Sequence, residues 1–194
     1  MDPKKLDYYY KKAKQEGHVA RSVYKLEEID QKFKLIKKGQ VVMDLGAAPG
    51  SWTNYVAQKI GNKGKLVALD LNPLNIACPN NVYFYQQDIN CLNYADILDQ
   101  YGAFDLVISD MAPQTTGIKN RDHFLSIELC LMALNVAKEV LKNTGNFVCK
   151  YFQGSDEQAL VKACKDVFKT VKVFKPEASQ KASKELFLVA INRK

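Results

Sequence analysis

One segment, from Val41 to Trp52, limits the possible folds more than any other part of this chain. Its apolar run 41–45 is predicted to form a strand that carries a carboxylate, Asp44, near its end. The turn Gly46-Ala47-Ala48-Pro49-Gly50 leads from there into residues 51–60, which are predicted to be helical. Glycine permits positive φ or a close approach to a ligand, and Pro49 suits a first helical turn. A strand, glycine turn and helix in this order are typical of sites for nucleotide-like cofactors.

The spacing of the glycines distinguishes between cofactors. It is not G-x-G-x-x-G, the pattern that places a pyrophosphate against a helix N-terminus. A carboxylate at the strand end with a bulkier turn favours a cofactor without phosphate, and S-adenosylmethionine meets that description. A tight turn that serves packing alone is the alternative interpretation.

Hydrophobic periodicity predicts an alternating pattern of strands and helices after a helical N-terminal extension. We expect strands near residues 41–45, 66–70, 82–86, 105–109, 146–152, 170–174 and 186–191, and helices near 51–60, 91–100, 121–142 and 155–168. This alternation indicates an α/β fold whose parallel sheet is covered on both faces and binds ligands at the carboxyl ends of its strands. With 194 residues and no linker or repeat, the chain is expected to be one domain, residues 1–194, with the extension at residues 1–38.

The predicted helix near 121–142 has apolar residues at three- and four-residue steps, and we interpret this stripe as packing and no more. Gly145 is expected to mark the end of that helix. The stripe consists of Leu125, Leu129, Met132, Val136 and Val140.

Four predicted strands end in, or are followed by, an aspartate: Asp44, Asp70, Asp88 and Asp110. A single aspartate after a strand is more often a turn or helix-cap residue than a ligand contact. Four at one edge of a sheet instead indicate a polar site there. Asp70 lies 24 residues after Gly46, about where a carboxylate meets ribose hydroxyls.

Two further charges interrupt apolar strands. Lys150 lies within Phe147–Phe152, and Glu185 begins the last predicted strand. Burying a lysine is costly unless it lines a polar cavity or gives up its proton. The alternatives are an edge-strand lysine that reaches solvent and a solvated carboxylate at a strand start.

Charge is uneven along the chain, whose net charge is +7. Residues 1–40 and 150–194 each carry a net charge of +5, whereas residues 41–149 carry −3. If the two basic ends meet, they form a cationic surface suited to a polyanion such as RNA. Solvated lysine without a partner is the alternative, because 25 of the 28 cations are lysines.

Cysteine and histidine content argues against a metal site. The five cysteines, 78, 91, 130, 149 and 164, include no C-x-x-C pair, so we expect free thiols. Only His18 and His123 could join them, and we therefore expect no metal. No apolar run reaches membrane-spanning length and the N-terminus lacks the apolar centre of a secretory signal, so we expect a cytoplasmic protein.

Four motifs together resemble those of the FtsJ/RrmJ group of S-adenosylmethionine-dependent ribose 2′-O-methyltransferases. They are Ala20–Leu26, Asp44–Trp52, Ser109–Pro113 and Phe147–Gly154, and Ser183-Lys184-Glu185 adds a final glutamate. The resemblance implies a Rossmann-like class I methyltransferase fold with a seven-stranded sheet whose last strand is antiparallel.

The same resemblance implies the site residues. It places a catalytic tetrad at Lys25, Asp110, Lys150 and Glu185, and cofactor contacts at Asp44, Gly46, Ala47, Gly50, Trp52, Asp70, Asp88 and Asp110. We expect Lys150 to act as general base, because a ribose hydroxyl needs one at neutral pH. Ser51, Gln180 and Lys184 depart from the usual pattern of the bacterial members, which leaves the phosphate contacts near the C-terminus less defined.

The implied substrate is a ribose, a uridine in our reading, in large-subunit ribosomal RNA presented on a ribosomal particle, and we expect a monomer. Transfer RNA is the alternative substrate. Competing functions are a nicotinamide-dependent oxidoreductase, a base methyltransferase, and a non-enzymatic RNA-binding factor in ribosome assembly. The first would need G-x-G-x-x-G, and the second would need a proline pair and an aromatic ring after the fourth strand, which Asp110–Gln114 does not offer. The complete tetrad disfavours the third.

Overall fold

A computed structural model describes residues 3–16, 19–180 and 183–194, which form a single seven-stranded sheet with helices on both faces. The strand order is β3-β2-β1-β4-β5-β7-β6, and β7 runs antiparallel to both of its neighbours. This confirms the predicted α/β class and the antiparallel last strand. The strands are β1 Val41–Leu45, β2 Lys65–Asp70, β3 Val82–Gln86, β4 Phe104–Ser109, β5 Leu141–Phe152, β6 Phe168–Phe174 and β7 Glu185–Arg193.

The helices separate into two groups because each face of the sheet needs a cover of its own. One apolar cluster packs α4, α5 and α6 against one face, and a second packs α1, α2 and α3 against the other. The helices are α1 Pro3–Gln15, α2 Val23–Phe33, α3 Ser51–Ile60, α4 Tyr94–Tyr101, α5 Lys119–Val140 and α6 Glu157–Val167, with a 3₁₀ turn at Ile89–Cys91.

Helix α2 is fastened to α3 by polar bonds as well as by apolar packing. Trp52 Nε1 donates a hydrogen bond to the carbonyl of Ser22 at 2.9 Å. The Asp30 carboxylate accepts from the Tyr55 hydroxyl at 3.2 Å and from the backbone N–H of Ile36 at 2.8 Å. These contacts join the N-terminal extension to the helix that follows the glycine turn.

Two turn predictions are wrong. Pro49 is not in the first helical turn: α3 begins at Ser51 with Gly50 as its N-cap, and the preceding Ala48–Pro49 bond is cis. Gly145 does not end a helix. Helix α5 stops at Val140, and β5 begins immediately, because the chain pairs with Phe104 of β4 before its register shifts. Gly145 lies within that irregular start of β5.

The stripe on α5 is only partly core. Val136 and Val140 are buried, but Leu125, Leu129 and Met132 are half-buried. Helical periodicity does not distinguish a side chain that faces the core from one that faces a cavity beside it, and Leu129 and Met132 line such a cavity. The interpretation of this stripe as packing alone is therefore corrected.

All five cysteines are free, as expected, with Cys78 and Cys91 exposed and the other three buried. Within the described ranges, no helix combines the length and apolar character that a membrane span requires.

Candidate active site

The glycine turn after β1 is shaped by close contact with the chain that follows β4. Gly46 has φ +77°, and a Cβ placed on it would lie 2.6 Å from Met111 Cγ. Gly50, at φ +111°, similarly allows the Ile76 side chain to approach. A larger residue at either position would be strained by its backbone and would collide with its neighbour. The turn thus lies directly beside the segment that carries Asp110.

Asp70 holds this turn in place. Its Oδ2 accepts a hydrogen bond from the backbone N–H of Ala48 at 2.9 Å, and its Oδ1 accepts from that of Asn72 at 2.8 Å. Asp88 likewise caps the 3₁₀ turn by accepting from the N–H of Asn90 at 2.8 Å. Both aspartates therefore do serve as turn residues, which was the alternative interpretation of their position in the sequence. A carboxylate has about four acceptor positions, so both retain capacity for a ligand.

A cavity of about 570 Å³ opens at the carboxyl ends of β1, β2 and β4. It lies where the strand order reverses between β1 and β4, the usual ligand position in such sheets. Its size is within the ordinary range for small-molecule sites. Among the residues that the sequence predicts for the site, the cavity is lined by Gly46, Asp70, Asp88, Asp110 and Lys150.

Several lining residues were not predicted. Most of them follow one of the strand-end aspartates by one or two residues, so their position in the sequence could have indicated them. Nothing in the sequence distinguishes the two on α5, Leu129 and Met132, from core residues. The unpredicted lining residues include Leu71, Asn72, Ile89, Asn90, Met111, Gln114, Leu129 and Met132.

The other four predicted cofactor contacts, Asp44, Ala47, Gly50 and Trp52, do not line the cavity. Trp52 is buried against Phe187 and directs its indole N–H to the α2 side. Asp44 is fully buried beneath the turn, where Oδ2 accepts from the Thr53 hydroxyl at 2.8 Å and Oδ1 has no partner. Burial raises the pKa of Asp44 to about 7, and the nearby charges of Asp110 and Asp70 add to the increase.

The four predicted tetrad residues form two ion pairs. Lys150 Nζ contacts Asp110 Oδ1 at 2.7 Å and also donates to the Asp110 carbonyl at 2.5 Å. Lys25 Nζ contacts Glu185 Oε1 at 2.6 Å. All four side chains are less than one-fifth exposed, so water screens these charges only weakly.

The two pairs lie close enough to influence each other. Burial alone would raise the pKa of Glu185, but Lys25, the Ser179 hydroxyl and Lys150 outweigh it and hold that pKa below its usual value. Because β7 is antiparallel to β5, Glu185 at its start is paired with Phe152, two residues beyond Lys150. The strand directions thus bring one charge from each of β5 and β7 to the same edge.

The lining of the cavity fits S-adenosylmethionine better than a dinucleotide. Three carboxylates, Asp70, Asp88 and Asp110, face one lysine, Lys150, which is already paired with Asp110. Such an excess of negative charge repels a pyrophosphate and favours a cation. The apolar contribution of Leu71, Ile89 and the two α5 residues suits an adenosine.

No group of three histidine, cysteine, aspartate or glutamate side chains in the described ranges is arranged to hold a metal ion. His123 is buried, with Nδ1 2.6 Å from the Phe152 carbonyl and Nε2 accepting from the Asp156 N–H at 3.0 Å. It therefore connects α5 to the end of β5. His18 lies outside the described residues.

The sheet topology and the position of the cavity define a class: a Rossmann-like methyltransferase fold. Residues 18–193 match the family model of the FtsJ-like methyltransferases. A protein of Bdellovibrio bacteriovorus named ribosomal RNA large subunit methyltransferase E is 50% identical over 191 residues, 97% of each chain. One of the same name from Lawsonia intracellularis is 47% identical over 97% of this chain and 95% of its own. This chain belongs to the FtsJ-like methyltransferase family.

Solved structures agree with this assignment. A Plasmodium falciparum protein described as a ribosomal RNA methyltransferase superposes with a TM-score of 0.79 at 29% identity, over 90% of this chain and 97% of its own. Fibrillarin of Aeropyrum pernix, solved with bound S-adenosyl-L-methionine, shares only the fold, with a TM-score of 0.60 at 13% identity over 81% and 68% of the two chains. The match to the family model and the named relatives confirm the predicted family, and with it the enzyme class of S-adenosylmethionine-dependent RNA 2′-O-methyltransferase and the cofactor.

Proposed function

We propose that this enzyme methylates the 2′-hydroxyl of a ribose, a uridine, in large-subunit ribosomal RNA. The observation that carries the proposal is the pairing of Lys150 with Asp110 at the rim of the cavity, next to a second buried pair, Lys25 with Glu185. The names of the relatives supply the class of RNA.

S-adenosylmethionine, when bound, supplies an electrophilic methyl group on a sulfonium. Gly46, Asp70, Asp88 and Asp110 would hold it along the cavity. Ala47 and Gly50 form part of the turn itself, Asp44 is buried against Thr53 of α3, and Trp52 lies in the first turn of α3. This arrangement modifies the contacts implied by the resemblance, because four of those residues do not line the cavity.

Lys150 is the general base in this proposal. It lines the cavity and touches Asp110, so a neutral amine at this position could take the proton of the attacking hydroxyl. Asp110 orients that amine through both its carboxylate and its carbonyl. Lys25 and Glu185 orient the ribose or its neighbouring phosphate, because a hydroxyl must be aligned as well as deprotonated.

The basic ends of the chain would bind the RNA. Residues 1–38, with α1 and α2, and the segment after residue 150 each add net positive charge beside the acidic centre. Phosphate contacts release counterions, so binding should fall steeply with salt. Lys14→Glu, on the exposed side of α1, should weaken RNA binding, whereas Lys63→Glu in the acidic part of the chain should not.

The proposal includes a single domain of residues 1–194 that acts as a monomer in the cytoplasm on a large ribosomal particle. Transfer RNA as substrate remains the second candidate, because the same tetrad would serve any ribose. An assembly factor without activity is disfavoured by the buried, fully paired tetrad, which is costly to keep without a use.

The test uses large ribosomal subunits from cells that lack the gene. Purified enzyme with labelled S-adenosylmethionine should methylate one 2′-hydroxyl, and a 2′-deoxy nucleotide at that position should abolish acceptance while leaving RNA binding intact. Methylation of a base, or activity on transfer RNA with none on ribosomal particles, would show the proposed substrate to be wrong. Asp70→Ala should weaken cofactor binding by calorimetry.

A further inference from the structure

The connection between β6 and β7 is fastened to α2, the helix that carries Lys25. Glu28, one helical turn after Lys25, accepts hydrogen bonds from the backbone N–H groups of Glu177 at 2.5 Å and Ala178 at 2.8 Å. The connection is also closed on itself, because Lys175 Nζ donates to the Ser183 carbonyl at 2.8 Å. The described part of this connection, residues 175–180 and 183–184, therefore has a fixed place beside the second ion pair.

Ser179 lies at the centre of this connection and is buried, with 5% of its surface exposed. Its hydroxyl donates a hydrogen bond to Glu185 Oε1 at 2.8 Å. The same oxygen contacts Lys25 Nζ at 2.6 Å. A lysine ammonium lies at the end of a long flexible side chain, whereas the position of a serine hydroxyl oxygen depends on χ1 alone. The short donor is therefore the one that can fix the direction of the carboxylate.

We propose that Ser179 is a positioning residue for methyl transfer: its hydroxyl, placed by the connection that Glu28 anchors, orients the Glu185 carboxylate against Lys25. The proposal rests on the tetrad function argued above. Ser179 has no contact with the cavity, so it acts through Glu185 rather than on the ribose. It also joins the tetrad to a segment that carries Lys175 and Lys184, which belongs to the proposed RNA surface.

The charges around Glu185 give the proposal a distinctive signature. Lys25 from α2 and Lys150 from β5 face it, and Asp110, directly after β4, is paired with Lys150. The Ser179 hydrogen bond helps keep the pKa of Glu185 below its usual value, against the effect of burial. Removing the hydroxyl should raise that pKa. As pH falls, Glu185 would then be protonated, and its contribution to activity lost, at a higher pH than in the wild type.

The experiment compares Ser179→Ala with Ser179→Thr, which keeps a hydroxyl, and with Ser155→Ala, which removes an exposed hydroxyl that donates to Asp156. Single-turnover methylation is measured on large ribosomal subunits from cells that lack the gene, over a range of pH. Ser179→Ala should be slower by roughly tenfold, the usual value of a hydrogen bond to a charged group. Ser179→Thr should recover most of the rate, and S-adenosylmethionine affinity should be unchanged in all three variants.

With Lys150 as the base, the rate already falls along the acidic limb, and the fall should become steeper where Glu185 also takes up a proton. That change in slope should lie at higher pH in Ser179→Ala and stay in place in Ser155→Ala. Glu28→Gln, which loosens the anchor but keeps the hydroxyl, should give a smaller loss and a smaller shift. A wild-type rate and profile in Ser179→Ala would overturn the proposal. So would a loss that Ser179→Thr does not recover, because that indicates only a structural role.

Lys25→Ala and Glu185→Ala, measured in parallel, separate this proposal from the function on which it rests. If both keep full activity, the tetrad function itself is wrong. If both lose activity while Ser179→Ala does not, only the role of Ser179 is wrong.

Discussion

The two ion pairs of the site are held in different ways. The Asp110–Lys150 pair joins the ends of adjacent parallel strands, β4 and β5, whose cores are completely buried. The Lys25–Glu185 pair joins β7 to α2, a helix outside the sheet. Positions in the first pair are set by the backbone ladder of the sheet, whereas those in the second depend on how α2 packs.

The contacts that hold α2 show what this difference means. Apolar packing of Val23, Leu26 and Ile29 holds the helix against the sheet. Three polar contacts fix its position further: Trp52 to Ser22, Tyr55 to Asp30, and Glu28 to the connection after β6. A hydrogen bond of this kind contributes about 1 kcal/mol, so small changes could displace Lys25 without unfolding the sheet. We infer that the sheet fixes Asp110 and Lys150, the proposed proton-transfer groups, and that the helix provides the adjustable part of the site.

The largest expected effect comes from breaking the pair within the sheet. Lys150→Ala should slow methyl transfer by about 10²–10⁴-fold, the usual contribution of a general base, and should leave S-adenosylmethionine affinity nearly unchanged. Single-turnover assays and calorimetry measure the two quantities. Lys142→Ala is the matched control, because Lys142 pairs with Asp105 between the same two strands at the opposite edge. A Lys150→Ala enzyme with most of its activity would show that another group is the base.

The buried carboxyl of Asp44, on β1, should make the stability of the folded chain depend on pH. With its pKa raised from 3.8 to about 7, the folded chain keeps a proton that the unfolded chain releases. This contribution to stability is complete below about pH 4 and is lost as pH rises to about 7, by at most roughly 4 kcal/mol. Asp44→Asn carries no such charge, so its melting temperature relative to the wild type should increase between pH 5 and pH 8.

Asp122 provides a control of opposite sign. Hydrogen bonds from Thr116 and Gly117 hold the pKa of its carboxyl below the usual value, despite some desolvation. Its contribution is therefore present above pH 4 and lost as pH falls further, so the deficit of Asp122→Asn should shrink in acid. A constant difference between Asp44→Asn and the wild type across the pH range would contradict the assignment for Asp44.

Breaking the pair between helix and sheet should cost less. Lys25→Ala and Glu185→Ala should each slow methyl transfer by roughly 10- to 100-fold, because each removes a hydrogen-bonded charge but leaves Lys150, the proposed base, in place. Since the two side chains contact each other, the double variant should be little worse than either single one. If the fold-losses of the two single variants multiply in the double variant, Lys25 and Glu185 act independently.

Sequence reasoning was most successful where the backbone decides the outcome. Asp70, Asp88 and Asp110 were placed at one edge because parallel strands bring their carboxyl ends together, and the structure has that sheet. The antiparallel direction of β7, which brings Glu185 to that edge, came only from the family resemblance. Hydrophobic periodicity is the same for either direction of a strand.

Predictions failed or were incomplete where side-chain direction decides. The pattern around Asp44 does not reveal that its carboxyl points under the turn, nor does helical spacing show that Met132 faces a cavity. The bond from Ser179 to Glu185 was missed because it depends on an irregular connection with no periodicity. Contacts of this kind follow from the tertiary packing and not from local pattern.

The smallest expected effect separates two interpretations of Trp52. The family resemblance makes it a cofactor contact, whereas in the structure its indole N–H donates to Ser22 and its ring packs on Phe187. Trp52→Phe keeps an aromatic ring and removes the donor, so unfolding in urea should show a loss of about 1 kcal/mol, with S-adenosylmethionine affinity unchanged.

The same variant should affect the two ion pairs unequally. The lost bond holds α2, so Trp52→Phe should displace Lys25 while Asp110 and Lys150 stay in place. The rate of methyl transfer should therefore fall a few-fold. Adding Lys25→Ala should then cost less in Trp52→Phe than in the wild type, since part of the contribution of Lys25 is already lost. Weaker cofactor binding with normal stability would instead favour the direct contact, and Lys25 would no longer depend on this bond.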